Sequence, residues 1–174
     1  MSDERRFANR AEALRRAFDR SFAEAPRAES TAVQDMLAVQ VGDTPYAVRL
    51  GDIAGLFADK RVTRVPSPVP ELMGIAGFRG IMVPVYDLGA LFGNPRADAL
   101  RWLVVTATKS KVALGFTNFG GHLRVAADAI EVADDETRTP RPVRGVVRTA
   151  AGIHPIINIA AVLHLIEERS RSRT

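Results

Sequence analysis

The sequence predicts a mainly β protein made of two tandem small β-barrels with short helices, preceded by an amphipathic helix. Three observations indicate this fold. Many short apolar stretches are separated by Gly and Pro, Gly42-Asp43 lies between two such stretches as in a β-hairpin, and the two halves of the chain resemble each other. Short strands with frequent turn residues are typical of small barrels and sandwiches. A length of 174 residues suits one domain or two small subdomains.

The resemblance between the halves is clearest where each half ends. The closing segments are "RGIMVPVYDLGALFG" and "AGIHPIINIAAVLHLI". In each, an apolar strand carries a proline and leads into a polar residue, Asp87 or Asn158, and then an apolar helical turn. We therefore expect a weak internal repeat, in which residues 31–95 and 99–166 each form a five-stranded barrel.

The two ends of the chain differ in composition from the middle. In residues 1–30, four apolar side chains fall at helical spacing among arginines, and Pro26 follows, which predicts an amphipathic helix and a linker. Packing on its own domain, docking to a partner and lying on a membrane surface all remain open for this helix. Residues 167–174, "EERSRSRT", predict a frayed polar tail.

Composition excludes several kinds of chemistry. The chain has no cysteine, so disulfides and thiolate sites are excluded. The three histidines, His122, His154 and His164, lack metal-ligand spacing, and no glycine-rich segment carries a phosphate-binding lysine. We expect no enzyme activity, no cofactor and no metal. No apolar run is long enough for a signal peptide or a membrane span, which predicts a cytoplasmic protein. The net charge of +4 leaves nucleic-acid binding by a basic barrel as an alternative.

The segment "GFRGIMVPVYDL" is the most specific motif in the chain. It resembles the signature of CheW-like domains, the coupling proteins of bacterial chemosensory arrays, with Phe78, Arg79, Gly80, Pro84 and Asp87 in the family's order and spacing. Weaker similarities extend the resemblance over about residues 36–166. Proline cannot donate to a strand ladder, so Pro84 predicts an edge or a bulge. Aspartate before a helical turn predicts an N-terminal cap.

The resemblance implies two five-stranded SH3-like barrels with a groove at their junction, and no catalytic activity. It implies an adaptor that couples the cytoplasmic tip of a chemoreceptor, a methyl-accepting chemotaxis protein, to the regulatory domain of a CheA-type histidine kinase. It implies partner contacts by six residues and structural roles for four. The implied contacts are Ile53, Leu56, Val62, Phe78, Arg79 and Phe116; the structural residues are Gly80, Pro84, Asp87 and Asn158. For Arg79, the implied contact is at the receptor groove, and an internal role that holds the two barrels together is an open alternative. For Phe78, a place in the core or in the groove wall is expected.

Three positions depart from the pattern of many family members. Gly55 stands where an acidic residue is usual, Gly77 where an asparagine is usual, and Phe116-Thr117 where a Val-Asp step is usual. These polar groups are missing here. An accessory protein that binds only the receptor or only the kinase is therefore an alternative to the full coupling role.

Overall fold

The computed structural model describes residues 32–132 and 141–172. The predicted N-terminal helix lies outside these residues. The strands are β1 (Val33–Val41), β2 (Thr44–Arg49), β3 (Ile53–Ala58), β4 (Leu72–Phe78), β5 (Ile81–Asp87), β6 (Trp102–Thr106), β7 (Ala113–Phe116), β8 (Asn118–Ala126), β9 (Ile130–Glu131), β10 (Val143–Thr149) and β11 (Gly152–Ile157). The α-helices are α1 (Leu88–Leu91) and α2 (Ile159–Arg171). Within the described ranges, neither helix has the length and apolar character that a membrane crossing requires.

The strands form two sheets. The five-stranded sheet has the order β3-β6-β7-β5-β4, and the six-stranded sheet has the order β8-β1-β2-β11-β10-β9. The prediction of a mainly β fold with two small sheets is confirmed. One sheet has a sixth strand, β9, which is only two residues long.

The internal repeat is present, but each repeat gives its first hairpin to the other sheet. The first repeat comprises β1 to β5 and α1, and the second comprises β6 to β11 and α2. Hairpin β1-β2 joins the second repeat's strands through the parallel pair Ala47 and Ile156. Hairpin β6-β7 joins the first repeat's strands through parallel pairs that begin at Val85 and Ala113. The predicted division at residues 95–99 therefore does not separate the two sheets.

Both sheets curl so that their outer strands approach each other. In the five-stranded sheet, Thr63 follows β3 and pairs with Ile75 of β4, with N–O distances of 2.8 and 2.9 Å. In the six-stranded sheet, only the short turn Ala127–Ala129 separates the outer strands β8 and β9 along the chain. A three-residue link cannot span an open sheet, because each residue covers at most about 3.5 Å.

Glycine permits the close approach at both seams. A Cβ on Gly74 would lie 2.1 Å from the carbonyl oxygen of Thr63, and one on Gly145 would lie 2.4 Å from that of Glu131. Both residues also have positive φ angles, 146° and 90°. The two glycines occupy matching strands of the two repeats, β4 and β10, so the seams are built alike.

The sequence predicts an edge or a bulge at Pro84. Pro84 lies in β5, an inner strand of its sheet, beside the register shift between Leu72 and Gly74 of β4. Its partner in β4 is Ile75, whose N–H and C=O already bond to Thr63 on the other side. The pairing of β5 with β7 begins only at Val85. Pro84 therefore stands where neither neighbouring strand needs an N–H donor.

Side chains alternate between a core inside each barrel and a third core that the barrels share. On β6, Leu103 and Val105 face the five-stranded barrel's core, whereas Val104 faces the shared core. On β1, Met36 faces the six-stranded barrel's core and Leu37 the shared core. Strands buried on both faces read as continuous apolar runs, which is how these segments appear in the sequence.

Candidate partner-binding surfaces

Asp87 fixes the start of α1 and the loop that follows it. Its Oδ1 accepts hydrogen bonds from the backbone N–H groups of Gly89 at 2.8 Å and Ala90 at 3.2 Å. Its Oδ2 accepts from the N–H of Ala97 at 2.8 Å. The carboxylate is buried. Asp87 therefore has the capping role that the sequence predicts, and it is not available to a partner.

Asn158 has the matching position before α2, where its Oδ1 accepts from the N–H of Ala161 at 3.3 Å. The helix then continues to Arg171, so most of the predicted polar tail is helical. Arg169 explains the difference, because its guanidinium bonds to the carboxylate of Glu71 and, at 3.3 Å, to the carbonyl of Leu91. Sequence patterns could not reveal partners so distant in the chain.

Arg79 lies at the tip of the β4-β5 hairpin. It forms the turn with Gly80, and both residues have positive φ, 49° and 85°, as in type I′ hairpin turns. The side chain is exposed. Within residues 32–132 and 141–172, no hydrogen bond or ion pair of Arg79 is found. Of its two predicted roles, a bond between the barrels is thus absent, and the guanidinium faces solvent.

A concave pocket lies beside this turn at the end of the five-stranded barrel. Arg79, Ile81 and Lys111 contribute to its rim, and Phe57 to its wall. Phe78 also borders the pocket but is only 3% exposed. We call this region the barrel-end surface and define it by its accessible members: Ala54, Phe57, Arg79, Ile81 and Lys111.

Phe78 supports the barrel-end surface from below. Its ring packs edge-on against that of Phe57, with 4.8 Å between centroids. The Nζ of Lys60 lies 5.5 Å and 5.6 Å from the centroids of Phe57 and Phe78, within the range of cation–π attraction. Of the positions expected for Phe78, the structure has the core one, because a side chain only 3% exposed offers almost no surface to another protein.

A second apolar region lies where the two barrels meet. Trp102 of β6 packs against Phe119 of β8, with ring centroids 5.2 Å apart. Ile53 and Leu56 of β3 are, like these aromatics, partly buried against the shared core. β3 and β8 are outer strands of the two different sheets. We call Ile53, Leu56, Trp102 and Phe119 the junction strip.

The structure does not bring all the predicted contact residues together. Ile53 and Leu56 share the junction strip, and Arg79 lies at the barrel-end surface. Phe116 is 1% exposed in the shared core, so its predicted contact is corrected to a core role. Val62 packs on the core of the five-stranded barrel, and it lines a separate groove that also includes Met73 and Leu100.

Trp102 and Phe119 were not predicted as site residues. The predicted division of the chain puts both residues in the second barrel, whereas the hairpin exchange places their strands in different sheets. A single tryptophan in the chain was the one available signal, since tryptophan is enriched at protein interfaces.

The histidines and acidic residues of the described part of the chain lie apart from one another or pair singly at the surface. Among the described residues there is no group of three or more His, Cys, Asp or Glu that could hold a metal ion. His122 contacts Asp35 at 3.0 Å and His164 contacts Glu168 at 3.7 Å, both at the exposed surface. His154 is buried with Thr149 as its neighbour at 3.5 Å. The surfaces described above therefore offer apolar and cationic contacts.

Comparisons with known proteins agree with this architecture. Against a probable chemotaxis protein CheW from Rhizobium etli, the chain is 25% identical over 111 residues, which cover 63% of this chain and 67% of that protein. The crystal structure of the scaffolding protein TtCheW from Thermoanaerobacter tengcongensis superimposes with a TM-score of 0.63 at 19% identity, covering 72% of this chain and 88% of that one. The family model described as the CheW-like domain matches residues 35–167. The chain belongs to the CheW-like domain family.

Proposed function

We propose that this protein is a non-catalytic adaptor that couples a chemoreceptor to a CheA-type histidine kinase in a bacterial chemosensory complex. It acts in the cytoplasm, where the receptor's helical tip is exposed. The observation that carries the proposal is the family match over residues 35–167. The relatives' descriptions as a chemotaxis protein and a scaffolding protein support it.

Two separate surfaces on one two-barrel body suit a protein that binds two partners at once. The junction strip offers half-buried apolar side chains from β3, β6 and β8. A bundle of amphipathic helices can bury its apolar side chains against such a strip. We assign the receptor to the junction strip.

The barrel-end surface differs in chemistry, because it combines exposed Ile81 and partly buried Phe57 with the cations of Arg79 and Lys111. Apolar side chains near an accessible arginine are typical of interface hot spots. The guanidinium can bind a carboxylate through two parallel hydrogen bonds. We assign the kinase's regulatory domain to this surface.

The proposal is tested by co-sedimentation with a receptor fragment and, separately, a kinase fragment. Leu56→Glu is expected to abolish receptor binding and retain kinase binding, and Arg79→Glu is expected to do the reverse. Arg144→Glu, an exposed charge reversal on the six-stranded barrel, is the matched control and should retain both. Circular dichroism and thermal melting establish that each variant is folded.

Binding of only one partner by the native chain would contradict the coupling role and support an accessory protein. The departures from the family pattern at Gly55, Gly77 and Thr117 favour testing this outcome directly. Nucleic-acid binding has less support, because Phe57, Phe78, Trp102 and Phe119 pack against each other in pairs. Stacking of bases requires free aromatic faces.

A further inference from the structure

We propose that residues 60–65, "KRVTRV", form a strand-addition site for an acidic, extended segment of a partner protein. This segment connects β3 to β4 on the five-stranded barrel. We call it the seam edge. It is separate from the junction strip, and at Lys60, which packs over Phe57 and Phe78, it borders the barrel-end surface. The argument uses its backbone pairing, the groove beside it and its charge.

The backbone of the seam edge is paired on one side only. Thr63 directs both its N–H and its C=O to Ile75 of β4. Thr63 forms an isolated antiparallel bridge with Ile75. Since consecutive residues of an extended chain direct these groups to opposite sides, the geometry expected for Val62 and Arg64 directs theirs away from β4. Among the described residues, neither makes a backbone–backbone hydrogen bond. An edge of this kind can pair with an added strand.

The length of the edge is limited by proline. Pro66, Pro68 and Pro70 follow it at alternate positions, and proline cannot donate to a ladder. An added strand can therefore pair with about five residues, which is the usual length of a short strand.

A groove with an apolar floor runs beside the edge. Val62, Met73, Val85, Leu100 and Leu103 line it. It continues past Arg64 and Met73 towards Val65 and Val69. Alternate side chains of an added strand point to one face, so apolar residues at every second position would enter this groove.

Arg96 holds the far wall of the groove in place. Its Nη1 donates to the carbonyl of Pro70 at 3.0 Å, and its Nη2 donates to that of Leu72 at 3.2 Å. These bonds tie the connection before β6 to the start of β4 and the residues just before it. The groove therefore exists before a partner arrives, which reduces the entropy lost on binding.

The charge of the seam edge selects the partner. Lys60, Arg61 and Arg64 are exposed, and no ion pair of Arg61 or Arg64 is found among the described residues. Asp98 is the acidic residue on the groove's opposite side. The cations oppose pairing with a second copy of the same edge, because like charges on adjacent strands are destabilising. An extended segment with Asp or Glu alternating with apolar residues fits both the charge and the groove.

A random-peptide display selection against the full chain tests the proposal. We expect enrichment of short peptides in which Asp or Glu alternates with Val, Ile or Leu. For a synthetic copy of a selected peptide, fluorescence polarisation should show at least about a tenfold weaker affinity for the Arg61→Glu/Arg64→Glu variant. The Arg124→Glu/Arg144→Glu variant has the same change in charge on the other barrel and should bind normally.

Backbone N-methylation of the peptide provides the second arm. Methylation at every second residue should abolish binding, because it removes the N–H groups that pair with the edge, and methylation at the intervening residues should not. No acidic enrichment, unchanged binding by the Arg61/Arg64 variant, or indifference to methylation would each overturn the proposal. Binding of oligo-dT to this edge, together with a selection that enriches no peptide, would also overturn it. Receptor and kinase binding are measured separately with the Leu56 and Arg79 variants, so failure here leaves the adaptor role standing.

Discussion

The guanidinium of Arg169, near the end of α2, binds the carboxylate of Glu71, which precedes β4 in the other repeat. The Glu71 side chain is only 9% exposed. Its Oε1 accepts from Arg169, and its Oε2 is a buried atom without a hydrogen-bond partner within the described part of the chain. Arg169 therefore neutralises a buried charge and ties the last helix to the first repeat.

Arg169→Met should lower the free energy of unfolding by about 3 kcal/mol, because it leaves the Glu71 carboxylate buried and unpaired. Urea denaturation measures the loss. Arg171→Met is the matched control: this arginine is exposed and contacts Glu167 at 3.4 Å, so its loss should be under about 0.5 kcal/mol. Adding Glu71→Gln to Arg169→Met should restore part of the stability, and equal losses for the two arginine variants would contradict the account.

The two helix caps should differ in strength. Asp87 accepts three backbone hydrogen bonds in a buried position, whereas Asn158 accepts one. Asp87→Ala should therefore cost about 3 kcal/mol, and Asn158→Ala about 1 kcal/mol, in chemical denaturation. A larger loss for Asn158→Ala would show that the caps do not have the roles assigned to them.

Gly74→Ala should destabilise the five-stranded barrel by at least about 3 kcal/mol, since its Cβ would overlap the Thr63 carbonyl that closes the seam. Gly80→Ala is the comparison. Gly80 also has a positive φ, but a Cβ there would meet nothing within 4 Å, so the loss should be about 1 kcal/mol. Thermal melting distinguishes the two, and similar melting temperatures would contradict the closed seam.

Arg79→Asn should stabilise the fold by about 0.5 kcal/mol, because asparagine tolerates the left-handed backbone of this turn better than arginine. It should also weaken binding of the kinase fragment. Melting temperature and co-sedimentation are measured on the same preparation. A fall in melting temperature would show that the Arg79 side chain supports the fold.

The stability of the fold at alkaline pH should depend on Tyr86. Burial raises the pKa of Tyr86, a hydrogen bond with Ser170 opposes this change, and the charge of Glu71 adds a smaller contribution in the upward direction. The folded state then holds the phenolic proton more tightly than the unfolded state. The protonated Tyr86 side chain therefore contributes fully to stability below pH of about 10, and this contribution is lost as the pH rises through the folded-state pKa of Tyr86.

Urea midpoints between pH of about 9 and 11 measure this effect. The native protein should lose stability over that range, and Tyr86→Phe should lose less. Tyr46→Phe is the control, because Tyr46 packs beside Phe92 at the edge of the shared core. Parallel declines in the native and Tyr86→Phe proteins would contradict a raised pKa for Tyr86.

Several features could be predicted from the sequence because they depend on residues close together in the chain. The caps by Asp87 and Asn158 act within three residues in α1 and α2. The repeated order of strand, proline, polar residue and helix indicated two similar units. The helix caps and the repeated order of elements could therefore be predicted from the spacing of residues close together in the chain.

Only the tertiary structure decided which strands pair, and so which residues reach the surface. A strand with two buried faces has the same apolar pattern whichever sheet it joins, so the exchange of the hairpins β1-β2 and β6-β7 leaves no local signal. That exchange buries Phe116 and places Trp102 against Phe119 at the junction. The pairing of Arg169 with Glu71, 98 residues apart, is likewise a result of packing, because contacts between distant residues depend on the complete arrangement of the chain.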